Sequence, residues 1–182
     1  MRHILHIIVV CVLSSCLFPL WGQQADSKPK YTDLQKQHAR IYYQIVLQLK
    51  KGESDFDSNF KAFYTPIVND CERLYKENKK FEAFFREKAN DSMENNKQEI
   101  AKKQEKAREC FHHLAQLTQT ISEAYKKKES SKIDQSLAEY KQIERTLLTL
   151  GSQIPQRNWV TVSEAESLVA QTMRNNRARR QK

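Results

Sequence analysis

Glycine is scarce in this chain. It occurs three times in 182 residues, at Gly22, Gly52 and Gly151. No two of these glycines are close enough to form a glycine-rich loop, which phosphate-binding loops, dinucleotide-binding folds and the nucleophile turn of many hydrolases require. The sequence therefore contains none of these three motifs.

Long apolar stretches are also missing, apart from one at the start. Residues 1–3 are cationic, residues 4–20 are almost wholly apolar, and the chain becomes polar after the small residue Gly22. This order of segments is typical of an export signal. We therefore expect an exported protein, periplasmic or extracellular.

Three fates of this leader remain open. Cleavage after Gly22 would make Gln23 the first residue. Residues 13–16 also match a lipobox, in which Cys16 would be acylated and the protein anchored to a membrane by lipid. The third alternative is an uncleaved membrane anchor, although His6 and Pro19 weaken it.

The rest of the chain has the size of one domain. It is rich in Lys, Glu, Gln and Ala, and its β-branched residues do not alternate, so helices are predicted nearly throughout. The expected fold class is all-α: an antiparallel up-down helical bundle with a projecting, coiled-coil-like helical hairpin and a short C-terminal helix. The expected segments are an export signal over 1–22 (or a lipoprotein signal ending before Cys16), a flexible linker over 23–31, the bundle over 32–151, a linker over 152–162, and a C-terminal helix with a basic tail over 163–182.

Capping residues and glycines predict where the helices begin and end. Pro66 predicts a kink or a restart inside the second helix. The predicted helix starts are Thr32 or Asp33, Ser54-Asp55, Ser92, Ser130-Ser131 and a capping box over 163–166, and the first and fourth helices are predicted to end at Gly52 and Gly151.

A turn at Asn90-Asp91 would fix how the second and third helices align. Counting back from that turn places Cys71 beside Cys110, the only two cysteines outside the leader. Because export brings thiols into oxidising conditions, the alignment predicts a disulfide between them.

The same alignment leaves a helical arm from about residue 75 to residue 106. Between residues 86 and 106 the larger apolar residues are only Met93 and Ile100, which suits a two-helix arm or, alternatively, a frayed polar helix. Phe81, Phe84 and Phe85 are a surplus of apolar area on this arm. They are predicted either to bind a partner or to pack under the fifth helix or Trp159.

The basic charge is concentrated at the C-terminus. The net charge is +9, and the last nine residues contain no acid. Such a tail can contact an anionic membrane, nucleic acid or an acidic polymer, or it can be a solvated helix end. Nothing in it indicates specific nucleic-acid recognition. The predicted contact residues are Arg174, Arg177, Arg179, Arg180 and Lys182.

Candidate catalytic and metal-ligating residues form only partial motifs. Glu109 and His112 have the Glu-x-x-His spacing of a di-iron site, but a second copy is missing. Cys110 with His38 could act as a nucleophile and base, although a disulfide would consume the thiol. We therefore predict no catalytic residue, no metal and no cofactor.

The sequence favours a binding protein over an enzyme. The expected function is an exported envelope protein that acts as an adaptor, scaffold or holdase-type binder through the arm, on a protein partner or client of unknown identity. The alternative is a membrane-tethered protein or lipoprotein that uses its basic tail. A homo-oligomer is compatible with either.

Overall fold

The computed structural model describes residues 31–53 and 55–180, with side chains as far as Asn175. Within these residues the chain forms helices and no strand. The helices are α1 (Asp33–Lys51), α2 (Phe56–Glu94), α3 (Gln98–Lys126), α4 (Ser130–Thr149) and α5 (Val162–Arg180). The predicted all-α fold is confirmed. The expected export signal, the linker over 23–31, Cys16 and Lys182 lie outside the described residues.

The ends of α1 and the start of α2 are those that the sequence predicts. The Thr32 hydroxyl accepts a hydrogen bond from the Gln35 backbone N–H at 3.2 Å, and the Gln35 side chain accepts one from the Thr32 N–H at 3.0 Å, which completes a capping box. Gly52 ends α1 with φ of 72°, a left-handed conformation that costs glycine little. The Asp55 carboxylate caps α2 by accepting from the backbone N–H of Ser58 at 3.2 Å.

Helix α2 is longer than the sequence predicts. It continues through Pro66, so of the two predicted alternatives, a kink or a restart, the restart is wrong. It also passes through Asn90-Asp91-Ser92, and the predicted break there is wrong as well. Ser92 lies inside the helix and donates a hydrogen bond to the Gln104 side chain at 2.7 Å. The chain turns instead at residues 95–97, where Asn96 has φ of 56°, a conformation that asparagine tolerates better than most residues.

The later turn changes which residues of α2 and α3 face each other. The Phe81 ring stacks on the Phe111 ring, with centroids 4.9 Å apart, whereas the predicted alignment places Ile100 there. The difference is about 11 residues, or roughly 16 Å along the helix. Cys71 therefore lies beside Ser122, far from Cys110, and both cysteines are free thiols. The predicted disulfide is wrong.

The helices pack into one bundle with a shared core. α2 and α3 form the longest pair, α4 packs on α3, and α1 lies mainly against α5. α4 also contacts α2, since the Asn78 amide donates to the Tyr140 hydroxyl at 3.1 Å. α1 and α5 are joined by the Tyr42 hydroxyl, which donates to Glu166 at 2.9 Å. Among the described residues, the large apolar side chains that are fully buried are Ile67, Leu74, Phe111, Leu114, Ile121, Ile133, Leu137, Tyr140, Leu147, Trp159 and Val160.

The segment between α4 and α5, predicted to be a linker, is partly exposed over residues 151–156, but its second half, with Arg157, Trp159, Val160 and Thr161, is buried. Arg157 lies between two carboxylates, donating to Glu144 at 3.0 Å and to Glu164 at 2.7 Å. Its guanidinium also lies over the Trp159 ring, 4.7 Å from the centroid. Burial alone would raise the pKa of Glu164, but Arg157 holds that pKa at about 2. Arg157 therefore links this segment to Glu144 on α4 and to Glu164 in the first turn of α5.

The first turn of α5 is capped two residues earlier than predicted. Glu164 accepts from the Thr161 backbone N–H at 2.9 Å, and the Thr161 hydroxyl accepts from the Glu164 N–H at 3.3 Å. This is a capping box over 161–164, not over 163–166. Ser163 is exposed instead.

The α2–α3 hairpin has two parts. Residues 75–85 contribute side chains to the core, including the buried Asn78 and Glu82, so this part of the predicted arm belongs to the bundle. Between residues 86 and 106, buried side chains are limited to Ala89, Ser92 and Ala101. We call residues 86–106 the hairpin tip. Its narrow line of small buried residues suits two helices that pack on each other alone.

Candidate functional site

Two of the three phenylalanines predicted as partner contacts pack against the core. Phe81 and Phe85 are one turn apart on α2, and both rings stack on Phe111, with centroids at 4.9 and 5.5 Å. Phe111 is fully buried and both partners are partly buried. Phe81 and Phe85 therefore belong to the edge of the core, next to the hairpin tip.

Phe84 points elsewhere. It precedes Phe85 by one residue, which rotates it by about 100° around the helix, and 49% of it is exposed. Its ring meets the edge of Phe85 at 5.2 Å, and the Lys88 ammonium lies 5.7 Å from its centroid. Phe84 is thus an exposed aromatic ring held in place by neighbours on its own helix.

An apolar groove runs beside these rings. It has a volume of about 560 Å³, and its second wall is the turn that follows α4. Gly151 in this turn has φ of 75°, a left-handed conformation that lets the chain leave α4 sharply. We call this the Phe84 groove; its lining residues are Lys80, Phe81, Phe84, Phe85, Gly151, Ser152 and Gln153.

Sequence reasoning finds one wall of the Phe84 groove and misses the other. The three phenylalanines are close together in the sequence, whereas residues 151–153 are small or polar and carry no motif. The sequence predicts Gly151 as a helix end, but it does not show which helix face that end approaches. The second wall depends on the packing of α4 against the α2–α3 pair.

The charge around the Phe84 groove has one sign. Among the described residues that line it, Lys80 is the only charged one and none is acidic. Lys79 pairs with the buried carboxylate of Glu82 at 2.5 Å, and Lys76 pairs with Glu72 at 2.6 Å. Lys80 has no carboxylate partner among the described residues, which leaves its charge available at the groove.

His112 of the partial metal motif, and His113 beside it, each contact a single carboxylate. His112 bonds to Glu82 at 3.2 Å, and His113 pairs with Glu139 at 3.1 Å, while Glu109 is exposed. Among the described residues, no three His, Cys, Asp or Glu side chains come together as metal ligands.

The thiol proposed as a possible nucleophile is not activated. Burial raises the pKa of Cys110 above its ordinary value, which keeps the thiol protonated at neutral pH. Both nitrogens of His38, its suggested base, are hydrogen-bonded to backbone groups of Phe63 and Val160. The two residues therefore do not form a nucleophile–base pair.

The basic tail extends α5. The helix backbone carries Arg177 and Arg179 and ends at Arg180, and Arg174 is exposed near its middle. A second, smaller apolar groove of about 240 Å³ lies between α1 and α5, with Lys36 in its lining. The tail contact itself remains a prediction.

None of the described helices has an apolar stretch long enough to span a bilayer. We compared the chain with models of protein families, with curated protein sequences and with solved structures, and none of the three comparisons gave a match.

Proposed function

We propose that this chain is an exported, non-enzymatic envelope protein that binds a protein partner or client through the Phe84 groove. The observation that carries the proposal is the half-exposed Phe84 ring beside an apolar groove, on a helix whose other aromatic side chains at this level are packed. Single exposed apolar side chains are common on protein surfaces, but an exposed ring that borders an apolar groove forms a continuous apolar surface that a partner can cover. Adaptor, scaffold and holdase functions all use such a surface.

The expected contact is weak and extended. Fully burying a phenylalanine is worth about 1.5–3 kcal/mol, and roughly half of Phe84 is already covered. We propose that the hairpin tip projects beyond the bundle as an arm and adds to the contact. Met93 and Ile100, both exposed on the tip, supply further apolar area there. Binding to unfolded or flexible segments suits such a surface better than a single tight interface.

Suppression of aggregation tests this proposal. The wild-type protein should reduce light scattering from a chemically denatured model protein, and Phe84→Ser should reduce that protection several-fold. Phe56→Ser is a matched control, because Phe56 is also exposed on α2 but lies at its opposite end. Equal protection by the wild type and Phe84→Ser, or none by the wild type, contradicts the proposal.

Export is tested separately by the intact mass of protein from its native host. We expect Gln23 or Asp26 as the first residue, or an acylated Cys16. A mature protein that retains Met1 and stays in the cytoplasm would contradict export.

A second candidate function follows from the tail. After Glu166 the chain contains no acid, and α5 stays helical to Arg180. The proposed contact is with anionic lipid or wall polymer, by a protein tethered to the membrane. Each Lys or Arg near an anionic surface contributes about 1 kcal/mol. Deleting residues 174–182 should abolish binding to phosphatidylserine vesicles and leave protection against aggregation intact; unchanged vesicle binding would contradict this candidate.

A further inference from the structure

We infer that the Phe84 groove binds an extended peptide segment in which a large apolar residue has an acidic residue two positions before it and another two positions after it. This inference rests on the proposed function, since it names the class of partner that the same groove takes. It is carried by the arrangement of charge around Phe84.

Two lysines flank Phe84 on the same face of α2. Lys80 and Lys88 lie one turn before it and one turn after it, at the spacing that places helix side chains on one stripe. Lys80 lines the groove, and the Lys88 ammonium lies 5.7 Å from the Phe84 ring centroid. Neither lysine pairs with a carboxylate among the described residues. Two exposed cations therefore bracket one exposed aromatic ring.

The acids of α2 near Phe84 lie outside the groove lining. Glu77 pairs with Arg73 at 2.9 Å, and Glu82 is buried under its own ion pairs. Glu87 is exposed; at 100° per residue it lies about 60° from Phe84, on the side away from Phe85.

Asp91 is exposed on the same face of α2, one turn beyond Lys88. It lies outside the stretch between the two lysines. Among the described residues that line the groove, the charge contributed by α2 is that of Lys80.

The second wall adds no negative charge. Residues 151–153 are uncharged, and no acid occurs in the sequence between Glu144 and Glu164. Both of these carboxylates are buried against Arg157. An acidic peptide would therefore meet attraction from α2 and no repulsion from the turn after α4.

The spacing of the lysines sets the spacing of the acids. Eight residues of helix separate Lys80 from Lys88 by about 12 Å. In an extended peptide, side chains at positions 1, 3 and 5 share one face and span about 13 Å. An acid at position 1, a Leu, Met or Phe at position 3 and an acid at position 5 match the order Lys80, Phe84, Lys88. The central side chain packs on Phe84 and Phe85 while the carboxylates reach the two ammonium groups.

Binding of labelled peptides, measured by fluorescence anisotropy, tests this inference. The four probes are nine-residue peptides. Three have Leu at the centre and carry Asp, Gln or Lys two positions before and two positions after it. The fourth has Ser at the centre between the two Asp residues. We expect the acid-flanked Leu peptide to bind about fivefold or more tightly than the Gln-flanked one, and the preference to shrink as salt is raised. The preference should vanish in Lys80→Gln/Lys88→Gln. It should persist in Lys102→Gln/Lys103→Gln, a control with two exposed lysines on α3.

The outcomes separate this inference from the proposed function. If all Leu peptides bind equally and Phe84→Ser abolishes binding, the acidic preference is overturned while the groove remains a binding site. If no peptide binds but protection against aggregation still depends on Phe84, the inference alone fails. If neither peptide binding nor Phe84-dependent protection is found, both fail.

Discussion

The Nδ1 atom of His38 accepts a hydrogen bond from the backbone N–H of Val160 at 3.1 Å. Its Nε2 atom donates to the Phe63 carbonyl at 2.7 Å, and the two rings stack with centroids 4.5 Å apart. These bonds require the neutral tautomer with the proton on Nε2. One buried imidazole therefore joins α1, α2 and the segment before α5.

Stability should fall when His38 is forced to accept a proton. Burial lowers the pKa of His38 below its ordinary value of 6.5, and the nearby Arg157 lowers it further. The unfolded chain therefore binds more protons than the folded one between the lowered pKa and 6.5. The unfolding free energy should decrease as pH falls from 7 through this window, by at most about 1.4 kcal/mol for each pH unit crossed.

Urea unfolding at several pH values checks this prediction. His38→Gln should be less stable at pH 7 and should show a shallower dependence on pH than the wild type between pH 7 and 5. The slopes of the variant and the wild type are compared because burial also raises the pKa values of Asp134 and Glu144. These two carboxyl groups make the unfolding free energy increase as pH falls, which opposes the effect of His38. Identical slopes for His38→Gln and the wild type would contradict the prediction.

Removing Arg157 should be among the most damaging single changes to the fold. Arg157→Met leaves the Glu144 carboxylate buried without its ion-pair partner. Glu164 then keeps its hydrogen bond from the Thr161 backbone N–H and an ion pair with Lys141 at 3.3 Å. Breaking one side of a buried ion pair typically costs about 3–5 kcal/mol, and thermal and urea unfolding measure this loss. Arg145→Met, at an exposed position on α4, should change stability by less than about 0.5 kcal/mol. Comparable stabilities for the two variants would show that the network contributes little.

Local chemistry predicts where the helices begin and end better than it predicts how α2 and α3 align. Thr32, Gly52 and Asp55 act as predicted because capping involves residues only a few positions apart. The height at which α2 meets α3 depends on which of two asparagine-containing segments forms the turn. Asn90-Asp91 and Asn95-Asn96 are both reasonable, and a displacement of about 11 residues is close to three full turns. Because such a displacement keeps the same residues on the apolar face, periodicity could not reveal the error.

The connection between α4 and α5 escapes sequence reasoning for a different reason. Its polar residues and Pro155 are typical of an exposed linker. Arg157 is buried because Glu144 and Glu164, on two different helices, converge on it. That convergence is a tertiary property. The Phe84 groove depends on the same connection, since residues 151–153 form its second wall.

The two cysteines should remain reduced and should differ in reactivity. In the folded protein Cys110, which is half-buried, should react slowly with a thiol reagent, whereas the buried Cys71 should react only after unfolding. Burial raises the pKa of both thiols, that of Cys71 to about 12, so neither is an activated nucleophile. Thiol titration in denaturant without reductant should count two free thiols in the protein without its leader. If no free thiol is counted and the melting temperature falls on reduction, the two cysteines form a disulfide and this prediction is wrong.

The phenylalanines should separate into a structural set and a contact residue. Phe111→Ala removes a fully buried ring on which Phe81 and Phe85 stack, and should cost about 3–5 kcal/mol. Phe81→Ser and Phe85→Ser should also lower the melting temperature, because both rings pack against the core. Phe84→Ser should leave it nearly unchanged, since this half-exposed ring meets the edge of Phe85 and the Lys88 side chain on its own helix. Differential scanning calorimetry measures all four. If Phe84→Ser lowers the melting temperature as far as Phe85→Ser does, Phe84 is a core residue and the binding role of its groove fails.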